Sequence, residues 1–407
     1  MARKMKDSGI EWIGEIPEGW ELIKAKYLFS PRNEKGNSTL ILLSPTQKYG
    51  VIPQSQLDGV VQVKESTDLR AFKTIHIGDF VISLRSFQGG FEFSNYEGVC
   101  SPAYQVFHAT KDLSNDFFRY LFKSDGFISK INSLTVGIRE GKNIQYWDFS
   151  NMLLAVPPKE VQIRSAQYLN TQCTEIDTML SKTRSSIEEY KKLKQAVITQ
   201  AVTTQQYSHI KLKYLMNVIV DCPHETPNYS FTGNYYVIRT ADQSLASLRR
   251  DEDMYRLDDS EYKKRTRRLT LDKDDIVYGR EGERWGLACM VPESNKYCLG
   301  QRIMQFRCNI KFLYPKYAMY ALNSEPVYLQ GVADTIGSTS PHVNISTICN
   351  YLLPVPSLTE QKEIADYLDA KCAEIDGLIA KKEQLVKELE NYKKSLIYEV
   401  VTGKREV

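Results

Sequence analysis

The residues of this chain best spaced for chemistry are the acids and bases around position 260. Asp258 and Asp259 precede Glu261-Tyr262-Lys263, a pattern in which carboxylates could hold a divalent ion and a lysine could face a phosphate. Such triplets are frequent where 25% of residues are charged, and a solvated strand or turn is the ordinary reading. Gly137-Ile138-Arg139-Glu140-Gly141-Lys142 approaches a phosphate-cradling loop, but it is one residue short and continues with Asn143. An adenine methyltransferase needs Asn or Asp before Pro-Pro-aromatic, and the Pro-Pro here stands in Val156-Pro157-Pro158-Lys159. There is no Gly-x-Ser-x-Gly elbow, and the five histidines are scattered; His224, beside Cys222, reads as a loop residue. Eight cysteines without a C-x-x-C pair read as reduced, packed thiols. No catalytic residue and no metal site is expected, which favours a binding protein.

Other side chains suit binding. Lys263-Lys264-Arg265-Thr266-Arg267-Arg268 carries five positive charges in six residues. Asp79-Phe80-Val81-Ile82 and Asp275-Ile276-Val277-Tyr278 are each followed by a loop with Arg and Gly, which brings Arg85, Ser86 and Gln88 in one and Arg280 and Arg284 in the other. Further on stand Arg139, Lys142, Asn143 and Gln145, and correspondingly Ser338, Thr339, Ser340, His342 and Asn344. Arg, Asn and Gln pair with base edges in the major groove, while Lys and surplus Arg neutralise phosphates. The candidate DNA-binding set is therefore Arg85, Ser86, Gln88, Arg139, Lys142, Asn143, Gln145, Lys263, Lys264, Arg265, Arg267, Arg280, Arg284, Ser340, His342 and Asn344.

The elements that must position these groups come from a repeat. Tyr168-Leu169, Cys173 and Glu175-Ile176-Asp177 recur as Tyr367-Leu368, Cys372 and Glu374-Ile375-Asp376 at an offset of 199 residues, and the match runs without a gap from Asn151/Asn350 to Val202-Thr203/Val401-Thr402. In the second copy apolar residues fall at Ile364, Leu368, Cys372, Ile375, Ile379, Val386, Leu389, Tyr392, Leu396 and Val400; in the first at Ile163, Ala166, Leu169, Cys173, Ile176, Leu180, Ile187, Leu193 and Val197. Steps of three and four residues predict two amphipathic helices of roughly 40 residues, about 60 Å long, that pair with each other. Prolines precede both, and Ser357-x-x-Glu360 fits a capping box at the second.

The globular text repeats too: Ile23-Lys24-Ala25-Lys26-Tyr27-Leu28 is echoed by Ile210-Lys211-Leu212-Lys213-Tyr214-Leu215. Strands are expected at Leu40–Leu43, Val60–Val63, Asp79–Leu84 and Tyr104–His108, and again at Tyr235–Arg239, Asp275–Tyr278, Leu287–Val291 and Ile303–Cys308. Helices are expected at Asn115–Lys123 and Pro315–Leu322. The fold class is α+β: two globular domains alternating with two long helices paired as an antiparallel coiled coil, a pseudo-twofold internal repeat. The boundaries fall at 1–150, including an N-terminal arm anchored by Trp12 and Trp20, then 151–206, 207–350 and 351–407. A net charge of +3 over 407 residues does not by itself announce nucleic acid. No run of 18 apolar residues is present, so the expected location is cytoplasmic, with no membrane partner.

Asp7-Ser8-Gly9-Ile10-Glu11-Trp12-Ile13-Gly14-Glu15-Ile16-Pro17, the Gly78-Asp79 and Asp274-Asp275 strand starts, Cys100-Ser101-Pro102-Ala103-Tyr104 and Pro356-Ser357-Leu358-Thr359-Glu360-Gln361 together resemble the specificity subunit of type I restriction-modification systems. The resemblance covers essentially the whole chain. It implies two target-recognition domains, each reading one half of a gapped, asymmetric site in double-stranded DNA, and two helical spacers that dock partners. Two modification subunits would carry the S-adenosylmethionine chemistry, and restriction subunits the ATP- and Mg-dependent chemistry, with no cofactor in this chain. Two departures stand out: Val161-Gln162 replaces the Glu-Gln of the second helix, and no arm precedes the second domain, so the two docking surfaces need not be equivalent. A coiled-coil scaffold that binds only protein, or a self-contained nuclease or methyltransferase, are the alternatives.

Overall fold

The computed structural model describes residues 3–35, 39–57, 69–83, 90–134, 144–335 and 341–407. It divides into two compact units, Met1–Thr183 with Leu385–Val407, and Arg184–Gln384.

The first unit opens with the arm, a hairpin of β1 (Met5–Asp7) and β2 (Glu15–Pro17). Gly14 turns it at φ +69°, a conformation that favours glycine. β3 (Glu21–Lys24), β4 (Phe29–Arg32), β5 (Leu43–Thr46), β6 (Gly50–Pro53), β7 (Lys73–Ile75), β8 (Phe80–Ile82), β9 (Phe91–Phe93), β10 (Gly98–Cys100) and β11 (Gln105–Ala109) follow. Then come α1 (Asn115–Leu121), α2 (Asp125–Leu134), α3 (Tyr146–Ser150), β12 (Leu153–Val156) and α4 (Lys159–Thr203), whose residues beyond Thr183 belong to the second unit. The main sheet has the order β4-β11-β8-β9, all antiparallel, with Val106 opposite Val81 and Val81 opposite Glu92. The strand expected at Leu40–Leu43 is displaced. Leu42 only bridges Val99, and the regular strand begins at Leu43 because the turn into Gly50, at φ +72°, fixes the β5–β6 register. The expected strand at Val60–Val63 lies outside the described residues.

The second unit repeats this plan. β13 (Ser208–Lys211), α5 (Leu212–Leu215), β14 (Met216–Asp221), β15 (Tyr235–Ile238), β16 (Gln243–Ser244), β17 (Ser247–Leu248) and β18 (Arg256–Leu257) lead to α6 (Asp259–Arg265). β19 (Ile276–Gly279), β20 (Ala288–Met290), β21 (Tyr297–Leu299), β22 (Ile303–Cys308), α7 (Pro315–Leu322), α8 (Glu325–Thr335), α9 (Ile345–Cys349), β23 (Leu352–Val355) and α10 (Leu358–Val401) follow. Its sheet runs β14-β22-β19-β20, the same order as the first, and β13–β23 matches β3–β12.

The cores differ in chemistry. The first is built on phenylalanines, with Phe29 and Phe118 rings 5.2 Å apart and Phe107 and Phe149 5.0 Å apart. The second uses tyrosines whose hydroxyls are bonded: Tyr317 donates to Pro354 O at 2.9 Å and Tyr320 to Asp369 at 2.8 Å. Buried hydroxyls need such partners.

The long helices are 45 and 44 residues. They pair antiparallel within each unit. In the first, Tyr168 faces Arg405 and Asp177 faces Lys393; in the second, Tyr190 faces Lys382 and Lys194 faces Asp376. Leu169, Ile176, Leu180, Leu368, Ile375 and Leu396 are buried as expected, but Ile163, Leu193 and Tyr392 are exposed. A 3.6-residue helix drifts from a 3.5-residue seam, so Ile198 and Val202 take the buried positions. The capping box at Ser357 and Glu360 is present, and the two hydrogen bonds that Ser357 donates hold the Glu360 carboxyl below its usual range.

A glutamine locks each helix to its unit. Gln162 accepts from Ser114 N at 2.8 Å and donates to Pro157 O at 2.9 Å. Gln361 accepts from Tyr314 N at 2.7 Å and donates to Phe312 O and Pro356 O, both at 2.9 Å. Both are buried, so these bonds satisfy backbone groups that water does not reach. Among the described residues, no helix is long and apolar enough to cross a membrane.

Candidate nucleic-acid interface

Asp79 and Asp275, the residues that lead the repeated strands, are structural. Each is buried and accepts the backbone N–H three residues before it: His76 N at 2.9 Å and Asp272 N at 2.8 Å. Each also holds an arginine of its own sheet, Arg32 at 2.8 Å and Arg307 at 2.8 Å. These contacts fix the start of the strand. Its far end is where the candidate side chains gather.

In the second unit that end holds Asp221, which closes β14, and Arg280, which follows β19. Arg280 is 4% exposed, and each of its guanidinium nitrogens meets a protein group. Nε donates to Asp221 at 3.0 Å, Nη2 reaches Glu281 at 2.8 Å, and Nη1 lies 3.3 Å from His342 Nε2. His342 is bridged to Glu281 through the backbone, and its Nδ1 lies 3.1 Å from the Glu281 carboxylate. His224 Nε2 lies 3.0 Å from Asp221 Oδ2. Arg284 is exposed and donates to Ala241 O and Gln243 O at 2.9 and 3.0 Å. Asn344 precedes α9 and bonds Asp334 through both its backbone and side-chain nitrogens.

The loop 222–226 joins this cluster to the basic segment. Residues 259–265 form a helix, not the solvated strand or turn expected around Glu261. Asp258 caps it by accepting from Glu261 N at 2.8 Å, acids fill its first turn and bases its last, as the helix dipole favours. Glu261, Tyr262 and Arg265 face inward, with Tyr262 stacked on Tyr235 at 3.8 Å. Arg265 donates to Leu299 O at 3.0 Å and to Glu225 O at 3.1 Å, so it shapes the loop. Lys263, Lys264, Arg267 and Arg268 are exposed; Lys264 pairs with Glu225 at 2.6 Å. The basic segment is thereby tied to the loop that carries His224.

The matching sheet end of the first unit forms an open cavity of about 420 Å³, lined in part by Asn33, Lys73, Pro102, Gln105, Gln145 and Tyr146. Gln105 donates to Gln145 Oε1 at 3.2 Å and accepts from Tyr146 N at 2.6 Å. Arg85, Ser86, Gln88, Arg139, Lys142, Asn143 and Ser340 lie outside the described residues. Sequence reasoning misses Lys73 and Gln105, whose neighbours at the site are distant in sequence, and it reads His224 as a loop residue without its contact to Asp221 three residues before. Among the described residues no group of three or more His, Cys, Asp or Glu could hold a metal ion. Burial pushes the thiols of Cys100, Cys289, Cys298 and Cys308 up to about 12, which suits packing.

Residues 221–388 match the family of type I restriction modification DNA specificity domains. The specificity subunit of the type I restriction enzyme MjaVIII from Methanocaldococcus jannaschii is 20% identical over 418 aligned positions, covering 96% of this chain and 93% of that one. The EcoBI specificity subunit of Escherichia coli is 31% identical over 134 residues, 32% of this chain and only 27% of that relative.

Residues 221–388 carry a type I restriction modification DNA specificity domain, and the chain is similar to type I specificity subunits.

Solved structures agree on the fold. A chain from a study of complex assembly and conformational transition of the type I R-M system superposes with a TM-score of 0.71 at 15% identity, over 96% of this chain and 99% of that one. The HsdS subunit from Thermoanaerobacter tengcongensis superposes at 0.51 and 15% identity, over 96% and 98%. The family match begins at Asp221, the residue that holds Arg280 and His224, and ends within α10. The relatives are named as specificity subunits, and the expectation that this chain is not itself an enzyme rests on that likeness.

Proposed function

We propose that this chain is the DNA-recognition subunit of a type I restriction-modification complex, in which each unit reads one half of a gapped, asymmetric duplex site. Residues 1–150 and 207–350 act as the two recognition domains, and 151–206 and 351–407 as helical spacers that dock the modification and restriction subunits. The chemistry on S-adenosylmethionine and the ATP- and Mg-dependent steps belong to those partners.

One observation carries the reading: the same sheet end is furnished with unlike side chains in the two units, Asn33, Lys73, Gln105 and Gln145 in one and His224, Arg284, His342 and Asn344 in the other. A duplicated scaffold with diverged ends suits two different half-sites. The exposed Lys263, Arg267 and Arg268 supply phosphate contacts that orient the duplex without reading it.

The test is to co-express the full chain with a type I modification subunit and map modified adenines across the host genome. A two-part motif with a fixed gap, lost when this chain is omitted, is the expected result. A stable complex without any modification overturns the reading in favour of a protein-binding scaffold.

A further inference from the structure

We propose that His224 is a specificity-determining side chain of the second unit, which presents a hydrogen-bond acceptor to an exocyclic amino group of adenine or cytosine, and that Arg280 is its positioning residue. This rests on the reading that the second unit engages duplex DNA. The geometry supplies the roles. The His224 side chain is 60% exposed, whereas Arg280 is 5% exposed at its side chain and Asp221 14%. Arg280 is therefore out of reach of a base, while His224 stands on the accessible rim.

His224 Nε2 lies 3.0 Å from Asp221 Oδ2, and Arg280 Nη2 is farther from it, at 3.4 Å. When the ring carries one proton, the nearer carboxylate takes the Nε2–H. That fixes the tautomer and leaves Nδ1, with its lone pair, as the nitrogen that meets a ligand. Asp221 is itself fixed by Arg280, through Nε to Oδ1 at 3.0 Å and Nη2 to Oδ2 at 3.3 Å. Gln301 donates to His224 O at 3.4 Å and to Thr226 Oγ1 at 3.2 Å, which steadies the loop. His342 is unsuited to this role, because Arg280 approaches its Nε2 and Glu281 faces its Nδ1, so both ring nitrogens are engaged.

In the major groove only adenine N6 and cytosine N4 present donors, so an acceptor at Nδ1 selects those bases over guanine and thymine. The Lys263 to Arg268 segment, joined to His224 through Pro223 and Glu225, would hold the backbone beside it.

The experiment uses the full chain in complex with a type I modification subunit, incubated with a randomised duplex pool, and sequences the bound DNA. Wild type is expected to return a two-part motif; its absence overturns both this inference and the reading it rests on. With that motif in hand, His224→Ala should relax one position of one half-site by about tenfold. His224→Lys, a donor without an acceptor, should shift that position toward guanine or thymine. Asp221→Ala should relax the same position, and Asp221→Asn, which keeps an acceptor for Nε2–H, should restore it; Arg280→Lys should fall between. An unchanged motif in His224→Ala and His224→Lys, or an even loss of binding at all sequences, overturns the inference and leaves the family reading standing.

Discussion

Lys194 on α4 donates to both carboxylate oxygens of Asp376 on α10, at 2.9 and 2.8 Å, and the repeat places the same pair in the other unit, where Lys393 meets Asp177 at 2.7 Å to each oxygen. The two pairs are not equally built. The Lys194 side chain is 6% exposed and also donates to Leu245 O at 2.8 Å, whereas the Lys393 side chain is 28% exposed. Lys194 sits on the buried stripe between Ile187 and Ile198, where an apolar residue would otherwise stand.

Replacing Lys194 by Met should destabilise the second unit by about 1.5–3 kcal/mol, since it removes charge-assisted bonds and leaves Leu245 O unpaired. Lys393→Met should cost the first unit about 0–1 kcal/mol, the range of partly exposed pairs. Urea unfolding followed by hydrogen exchange resolved to each unit distinguishes the two; equal losses would contradict the asymmetry.

Gln361 makes three bonds from a fully buried amide. Gln361→Ala should cost about 1–3 kcal/mol by stranding the Tyr314 N–H and two carbonyls. Gln361→Glu should be at least as harmful near neutral pH, because a carboxylate can accept from Tyr314 N but only repels Phe312 O and Pro356 O. Thermal unfolding of both variants would show it.

Glu92 is buried on β9, where the second unit has Cys289, and Lys123 reaches it at 2.7 Å. Burial raises its carboxyl above the ordinary value of 4.5, with Lys123 opposing. The folded chain thus holds this proton more tightly than the unfolded chain. Its contribution is complete below about pH 4.5 and is lost as pH rises through the folded value. Glu92→Gln should gain stability over wild type between pH 5 and 7, roughly, and lose that advantage in acid. A pH series of urea midpoints checks the crossing.

Under the proposed function the exposed Lys263, Arg267 and Arg268 contact phosphates. Changing any one to Ala should weaken DNA binding evenly across sequences and reduce the slope of log affinity against log salt by about 1. A change in the recognised motif, instead of the slope, would move that residue to base reading.

The helices are legible in the sequence because their apolar steps recur over many turns, and the units because whole stretches of text recur. Individual roles are less so. Arg265 stands among five cations that look alike in sequence, yet the capped helix starting at Asp258 turns residues 261, 262 and 265 inward and leaves 263, 264, 267 and 268 outside. Asp258 followed by acids and then bases is the available signal. Arg280 resembles a base reader because it follows a strand and precedes a glycine; its burial depends on Asp221 and His342, about sixty residues away on either side. Gln162 and Gln361 are visible as a repeated letter, but their bonds reach turns that the pattern does not reveal.

Residues 385–407 complete a core that the arm and first sheet begin. Leu396, Val400 and Val401 pack into the first unit, beside Trp20 and Leu169, while Ile198 and Val202 close the second. On the ribosome, the first unit therefore emerges early and waits, its apolar helix stripe wet, until the far half of α10 has been made. Contacts that far apart in sequence make folding slow and expose sticky intermediates. A message cut short before Leu385 would release a protein whose first unit has its sheet but lacks one wall of its core.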